Sequence, residues 1–300
     1  MSYRTLLLIM LLVPALVLGG AAALGLTIPV PHWARGYVVT VPLGAAADGA
    51  VDLPEIAGPD DPARPLVVID AGHGGRDPGA IGTDAEGRKV SEKDITLAIA
   101  LALRDELLEA GGIRVALTRG DDRILPLAHR PEIARLLDAD LFISIHADSA
   151  GERDDVSGAS IYTLSNAASS EAAARFAARE NDADRLNGIA IEGTSEAVSA
   201  ILVELSQQRT QDNAAEFQGL ILREGNDRLA FHAQPRRSAA LAVLRAPDVP
   251  SVLFESGFVT NRTDRARLTT PEGRAQYAGV LARAVQVYFA RRSDTGADAN

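Results

Sequence analysis

Short apolar runs alternate with stretches of helical periodicity along most of this chain. The apolar runs predict about six strands, at residues 66–70, 113–117, 141–145, 158–164, 241–244 and 251–254. The helical patterns lie at residues 92–110, 127–137 and 271–291. Strands that alternate with helices are typical of an α/β domain, so we expect a mostly parallel sheet flanked by helices.

One long segment interrupts this alternation. Residues 165–237 are rich in Ala and in charged residues and have a helical composition without a strand pattern. We therefore expect a helical insertion in an α/β domain that covers residues 66–292. Ser91 is expected to cap the helix at residues 92–110, and Gly111 is expected to end it.

The N-terminus has the pattern of an export segment. Arg4 precedes an apolar run that continues to about residue 30, which is typical of a signal peptide and is also long enough for a membrane anchor. Residues 31–65 contain several Pro, Gly and Ala and are expected to form a linker. Residues 293–300 are polar and are expected to form a disordered tail.

Composition excludes several classes of function. A net charge of −10 argues against nucleic acid as a partner, because phosphate binding requires a basic face. The 300 residues include no cysteine, which excludes disulfides, Cys-ligated zinc and thiol nucleophiles. Any metal must therefore be held by His, Asp or Glu.

Three candidate residues follow predicted strands, where functional groups collect in α/β sheets. His73 follows the strand at 66–70, His146 follows the strand at 141–145, and Glu255 follows a run in which an unpaired carboxylate would be costly. Two imidazoles and a carboxylate are a known ligand set for catalytic zinc. Each could also be an ordinary polar residue, and Glu92 alone is best read as an acid in the first turn of a helix.

The glycine-rich residues 72–82 follow the first strand directly. Their spacing matches neither the P-loop nor the G-x-G-x-x-G pattern, so a phosphate site is not expected. Glycine here allows the backbone to approach a metal site closely. We assign structural or surface roles to the three remaining histidines, His32, His129 and His232.

Five ordered motifs resemble those of the zinc-dependent N-acetylmuramoyl-L-alanine amidases of the Amidase_3 type. The resemblance covers about residues 65–290 and rests on VIDAGHGG at 68–75, DPGA at 77–80, SEKD at 91–94, SIHAD at 144–148 and PSVLFESGFVTN at 250–261. Residues 124–127, ILPL, and Arg130 also fit this pattern.

The resemblance implies the roles of the candidate residues. His73, Glu92 and His146 would bind Zn²⁺, and Glu255 would be the catalytic glutamate. The substrate would be peptidoglycan, cut at the amide bond between N-acetylmuramic acid and L-alanine. Two alternatives stay open, which are another zinc hydrolase such as an exopeptidase and a non-catalytic wall-binding protein.

The helical insertion resembles that of the cell-division amidases, in which a helical segment blocks the site until an activator protein displaces it. The resemblance implies that a glutamate of this segment can occupy the open metal position, with Glu171 as first choice and Glu180 as second. Both could also be solvated acids of an exposed helix. Residues 31–65 are too few for the targeting domain that many of these amidases carry, and a retained membrane anchor could take over its role. In either case we expect the catalytic domain to lie in the periplasm.

Overall fold

The computed structural model describes residues 51–297 except residues 85, 152, 154 and 188–199. The strands are β1 (Ile56–Ala57), β2 (Leu66–Ala71), β3 (Ile81–Thr83), β4 (Lys89–Ser91), β5 (Arg114–Leu117), β6 (Leu141–Asp148), β7 (Ala159–Leu164), β8 (Phe231–Ala239) and β9 (Ser251–Phe258). The helices are α1 (Glu92–Ala110), α2 (His129–Leu136), α3 (Glu171–Asn181), α4 (Ala183–Leu186), α5 (Ala200–Gly225), α6 (Arg262–Thr269) and α7 (Pro271–Ala297).

The main sheet has seven strands in the order β1-β5-β2-β6-β9-β7-β8. Its four central strands, β5, β2, β6 and β9, run parallel. β1 is antiparallel to β5, β7 is antiparallel to β9, and β8 returns parallel to β7. The predicted α/β class and mostly parallel sheet are therefore confirmed, with seven strands in place of about six.

Helices cover both faces of this sheet, which explains why all residues of β2, β6 and β9 are buried. The core on one face contains apolar side chains of α1, α5 and α7. The core on the other face contains side chains of α2, α3 and a short 3₁₀ helix, Ala242–Leu244. The two layers fix the strand ends that carry the candidate residues.

The start of α1 is anchored to the loop before it. Ser91 occupies the N-cap position, but its hydroxyl bonds the Asp94 carboxylate and makes no side-chain cap. The exposed N–H groups of the first turn bond the loop instead, since Glu92 N donates to Ala80 O at 2.8 Å and Lys93 N donates to Pro78 O at 3.1 Å. This end of α1 is therefore held beside the turn that follows β2.

Four sequence-based expectations about segments need correction. β1 lies in the range predicted as a linker, and β8 lies largely within the range predicted as a purely helical insertion. Residues 241–244, predicted as a strand, contain the 3₁₀ helix. α7 continues to Ala297, into the range predicted as a disordered tail.

The predicted insertion consists of two parts with different places in the fold. α3 packs on the same sheet face as α2, whereas α5 packs on the opposite face against α7. The second half of α5 contributes buried core residues, which are Ala214, Phe217, Leu220 and Ile221. α5 therefore belongs to the scaffold. α3 is the part of the predicted insertion that packs on the same sheet face as α2.

The predicted signal peptide or anchor at residues 1–30 lies outside the described residues. Among the residues that are described, no helix is both long enough and apolar enough to cross a membrane.

Candidate metal centre

His73 follows β2 in a sharply turned backbone. Its φ of 61° is left-handed, which costs a residue other than glycine on the order of 1–3 kcal/mol. The side chain is buried, and its Nδ1 lies 2.8 Å from Asp77 Oδ2. Its Nε2 has no hydrogen-bond partner among the described residues. Metal-ligating histidines have this arrangement, with one ring nitrogen fixed by a carboxylate and the other free.

Glu92 and His146 bring two further ligand atoms to this free nitrogen. Glu92 Oε1 lies 3.1 Å from His73 Nε2 and 3.1 Å from His146 Nδ1. The carboxylate is fixed by two backbone donors, because Ala147 N bonds Oε1 and Ala80 N bonds Oε2, both at 2.8 Å. The structure thus brings together the three residues that the resemblance implied as ligands.

Glu180 of α3 supplies a fourth atom at the same point. Its Oε2 lies 3.5 Å from His73 Nε2 and 3.4 Å from His146 Nδ1, and the three residues form a cluster that could hold a metal ion. Ligand atoms at about 2.0–2.1 Å from a tetrahedral zinc are separated by about 3.3–3.4 Å. The four measured separations, 3.1, 3.1, 3.5 and 3.4 Å, surround this value. Glu92 and Glu180 each therefore place an oxygen at the spacing of a tetrahedral metal ligand from both imidazole nitrogens. Among the described residues, the cluster that could hold a metal ion comprises His73, His146 and Glu180.

Two glycines make room for these side chains. A Cβ at Gly72 would lie 2.5 Å from His146 Nε2, and a Cβ at Gly79 would lie 2.6 Å from a carboxylate oxygen of Glu92. Both separations are too short for real atoms, so any larger residue would displace a ligand. The expectation that glycine allows a close approach of the backbone to the site is met at these two positions.

The imidazoles and carboxylates at the site shift one another's pKa values toward the charged forms. Burial lowers the pKa of the His73 imidazole, but the carboxylates of Glu92 and Asp77 outweigh this effect and hold that pKa well above its usual value. Burial raises the pKa of Glu92, but His73 and His146 outweigh it and hold that pKa well below its usual value. The same carboxylates that raise the pKa of His73 would also attract a metal cation to this point.

Glu255 is placed by β9 beside His146 of β6, its neighbour in the sheet register. Its side chain is buried, and neither carboxylate oxygen has a hydrogen-bond partner in the described part of the chain. Burial raises the pKa of Glu255 well above its usual value, and the charges of Asp148 and Glu92 raise it further. Because these carboxylate oxygens have no hydrogen-bond partner in the described chain, they can exchange a proton with a water or an amine at the candidate metal site.

Asp148 and Arg179 form an ion pair at the site that the sequence analysis missed. Arg179 Nη2 lies 2.5 Å from Asp148 Oδ1, which joins α3 to the end of β6. Burial raises the pKa of Asp148 to about 6, although Arg179 opposes this shift. Asp148 belongs to the same SIHAD motif as His146, but nothing in the sequence identified its partner on α3.

Contacts of three further residues, Phe176 and Asn181 of α3 and Asp184 of α4, hold α3 beside the candidate ligands. Phe176 is buried and stacks on Tyr162 with ring centroids 4.6 Å apart. Asn181 donates to Ala240 O at 2.9 Å and accepts from Ala242 N at 2.8 Å. Just beyond α3, Asp184 accepts from Leu127 N at 2.8 Å. The cavity that remains beside the two histidines is about 20 Å³, which holds about one water molecule, so the site is closed to a large substrate.

The structure places the two candidate blocking residues in different surroundings. Glu171, the first choice, is the first residue of α3, and its side chain is 87% exposed and paired with Arg175. Glu180, the second choice, is buried at the site. The two residues are nine positions apart, or about two and a half turns, and so point to opposite sides of the helix.

The histidines assigned structural or surface roles lie apart from the ligand cluster or outside the described residues. His129 begins α2, and His232 lies in β8 with its Nδ1 3.0 Å from Arg237 Nη2. His32 lies outside the described residues.

Comparisons with known proteins identify the family of this chain. Residues 67–287 match the sequence family described as N-acetylmuramoyl-L-alanine amidase, Amidase_3. The chain is 38% identical over 225 residues to the N-acetylmuramoyl-L-alanine amidase AmiA of Escherichia coli, covering 75% of this chain and 76% of that protein.

Solved structures give the same result. The fold is similar to that of N-acetylmuramoyl-L-alanine amidase AmiC2 of Nostoc punctiforme, with a TM-score of 0.52, 29% identity and coverage of 75% of this chain and 97% of that chain. It is also similar to the CwlD amidase of Clostridioides difficile, solved in complex with the GerS lipoprotein, with a TM-score of 0.50, 25% identity and coverage of 75% and 98%. The family match covers most of the chain, so this protein belongs to the N-acetylmuramoyl-L-alanine amidase family of the Amidase_3 type.

Proposed function

We propose that the protein is a zinc amidase that hydrolyses the bond between N-acetylmuramic acid and the L-alanine of the stem peptide in peptidoglycan. The zinc is held by His73, Glu92 and His146. The observation that carries this proposal is the position of Glu92 Oε1, 3.1 Å from both His73 Nε2 and His146 Nδ1, beside a buried Nε2 that lacks a hydrogen-bond partner in the described chain.

The chain's own residues divide the chemical work between them. When bound, zinc supplies a Lewis acid that polarises the scissile carbonyl and lowers the pKa of water. Asp77 holds the His73 ring in the tautomer that presents Nε2 to the site. Glu255 accepts the proton of the attacking water and returns it to the amide nitrogen of L-alanine as the C–N bond breaks.

The same proposal includes autoinhibition by α3. Glu180 Oε2, at 3.5 Å from His73 Nε2 and 3.4 Å from His146 Nδ1, would bind the same metal and thereby exclude water and substrate from it. Arg179, Phe176 and Asn181 hold α3 in place, so activation requires that α3 moves away from the site. A partner that binds better to the open form would activate the enzyme by shifting this equilibrium.

We further propose export to the periplasm and a role in cell separation. An N-terminal segment of signal-peptide or anchor character at residues 1–30 supports export. The activator is a protein partner, and the CwlD amidase, which is solved in complex with a lipoprotein, supports association of such a domain with another protein.

The activity is tested by release of dye from labelled peptidoglycan with purified protein, with and without chelator. We expect release that is lost with chelator and restored by zinc. Glu255→Gln should lose about 10²–10⁴-fold in rate while it retains zinc. No chelator-sensitive release from either the wild type or Glu180→Ala would reject the amidase assignment in favour of a wall-binding protein, and release of terminal amino acids from the stem peptide alone would favour an exopeptidase.

Autoinhibition is tested by two matched substitutions on one helix. Glu180→Ala should raise the rate of dye release, because it frees the fourth metal position. Glu171→Ala, on the exposed side of α3, should leave the rate unchanged. Equal rates for the two variants and the wild type would contradict a blocking role for Glu180.

A further inference from the structure

The main chain of the turn that carries His73 is held by two buried arginines. Arg130 Nη1 donates to Ala71 O and Nη2 donates to His73 O, both at 2.8 Å. Arg119 donates from Nε to Ala71 O and from Nη2 to Gly72 O, also at 2.8 Å each. Three successive carbonyl groups before and at His73 are thus bound by guanidinium groups.

Arg130 is the one that reaches His73 itself, and its own position is fixed. Asp70, fully buried in β2, accepts from Arg130 Nη1 at 2.9 Å, from Thr118 Oγ1 at 2.6 Å and from Ser144 Oγ at 2.7 Å. Burial raises the pKa of Asp70, but Arg130 outweighs this effect and keeps the carboxyl ionised. The planar guanidinium is therefore held in one orientation.

The charge of Arg130 does not favour a cation nearby. Arg130 and Arg119 are both buried, and within the described part of the chain Asp70 is the one buried carboxylate that bonds either of them. By charge alone, these guanidinium groups would repel a metal ion bound to His73. Any benefit of Arg130 to metal binding must then come from geometry, and His73 needs such support because its backbone is left-handed.

We infer that Arg130 is a positioning residue for the metal site, which holds the His73 main chain in its left-handed conformation so that Nε2 faces the other ligand atoms. This inference rests on the proposed role of His73 as a zinc ligand. One guanidinium spans Ala71 O and His73 O, on either side of Gly72, and this fixes the turn. Asp77 fixes the ring of His73, and Arg130 fixes its backbone.

The test is zinc affinity, measured by competition with a chromophoric chelator on the full chain. Arg130→Lys keeps the positive charge beside Asp70 but cannot span both carbonyl groups. We expect its zinc Kd to rise about 10–100-fold, as for other groups that orient metal ligands. Its lost activity should return when zinc is raised by the same factor, a rescue that a general loss of folding would not show.

The matched control is Arg114→Lys. Arg114 also donates to backbone carbonyl groups, at Arg64 O (2.9 Å) and Pro62 O (3.0 Å), but it lies at the start of β5, at the opposite end of the sheet. Its zinc Kd should equal that of the wild type. Thermal unfolding of the metal-free variants checks that each is folded.

A second variant covers the case in which Arg130→Lys does not fold. Asp70→Asn combined with Arg130→Gln removes both charges and leaves no buried carboxylate unpaired. If charge governed the site, this variant would bind zinc about as tightly as the wild type, because it loses one positive and one negative charge together, whereas our inference expects weaker binding. Wild-type affinity in a folded Arg130 variant would overturn the inference alone, and absence of zinc binding by the wild type would overturn the proposed function as well.

Discussion

Phe176 offers the most direct way to measure how tightly α3 is held over the site. Its ring is 3% exposed and stacks on Tyr162. When α3 lifts, this ring becomes solvated, so its burial stabilises the closed form relative to the open one. Phe176→Ala removes this contribution without touching a metal ligand or Glu255.

The expected size follows from burial and stacking. Burial of a phenylalanine side chain contributes about 2–3 kcal/mol, and an aromatic pair adds about 0.5–1.5 kcal/mol. A total of about 3 kcal/mol raises the ratio of open to closed enzyme roughly 150-fold, since 1.36 kcal/mol corresponds to a factor of 10. The rate of dye release from peptidoglycan should rise by up to this factor, with the fully open enzyme as the ceiling.

Phe217→Ala is the control for this prediction. Phe217 is fully buried in α5 on the opposite sheet face, where it contacts Tyr288 at 5.5 Å between ring centroids. Its loss should lower the midpoint of thermal unfolding without raising the rate. A folded Phe176→Ala protein whose rate equals that of the wild type would refute the reasoning, as would a rise of equal size in Phe217→Ala.

The remaining predictions concern the metal site and the attachment of α3. Gly72→Ala should weaken zinc binding at least tenfold, because the new Cβ would meet the His146 ring at 2.5 Å; chelator competition measures this, and unchanged affinity would contradict the packing argument. Zinc binding at pH 7 should release about one proton, because the pKa of His73 is raised well above 6.5 in the metal-free fold; calorimetry in two buffers of different ionisation enthalpy would show it. Without metal, protonated His73 stabilises the fold fully below pH 6.5, and this stabilisation is lost as pH rises through the raised pKa of His73. A free energy of unfolding that stays constant or increases over that pH range would contradict this prediction. Asn181→Ala should raise the rate of dye release several-fold, since it loses two hydrogen bonds to the chain after β8 worth about 0.5–1.5 kcal/mol each, and a rate no higher than that of the wild type would count against this attachment.

The central fold could be predicted because its signals are strong and local. β2 begins with four successive apolar residues after a Pro, and α1 ends at Gly111, whose φ of 75° suits glycine. β8 could not be predicted in the same way. Its sequence, FHAQPRRSA, lies at the edge of the sheet, is mostly half-buried or exposed, and shows no alternation of apolar and polar positions.

Some residues of the candidate site could also be predicted from the sequence, and others could not. His73 and His146 could be suspected from their positions after strands, but Glu92 begins a helix and gained its role only through the family motif. The choice between Glu171 and Glu180 could have been improved from the sequence. Glu180 continues the stripe of Ala173, Phe176 and Ala177 at helical spacing, so it lies on the buried face of α3.

The different places of α3 and α5 in the fold were not predicted, because residues 165–237 were interpreted as one helical insertion. Both helices lie in the segment predicted as one helical insertion, and their packing on opposite sheet faces separates the helix beside the candidate site from the scaffold helix. Removal of residues 165–237 as a unit would therefore delete core side chains and most of β8 together with α3. Substitutions within α3 are the appropriate perturbation.

Anomalous diffraction at the zinc edge, from a crystal of the zinc-loaded protein, locates the bound zinc. Its position decides whether His73, Glu92 and His146 are the zinc ligands. We expect one strong peak about 2 Å from His73 Nε2, His146 Nδ1 and a carboxylate oxygen of Glu92, with Glu180 as the fourth ligand while α3 is closed. A peak elsewhere, or no peak within reach of these three residues, would contradict it.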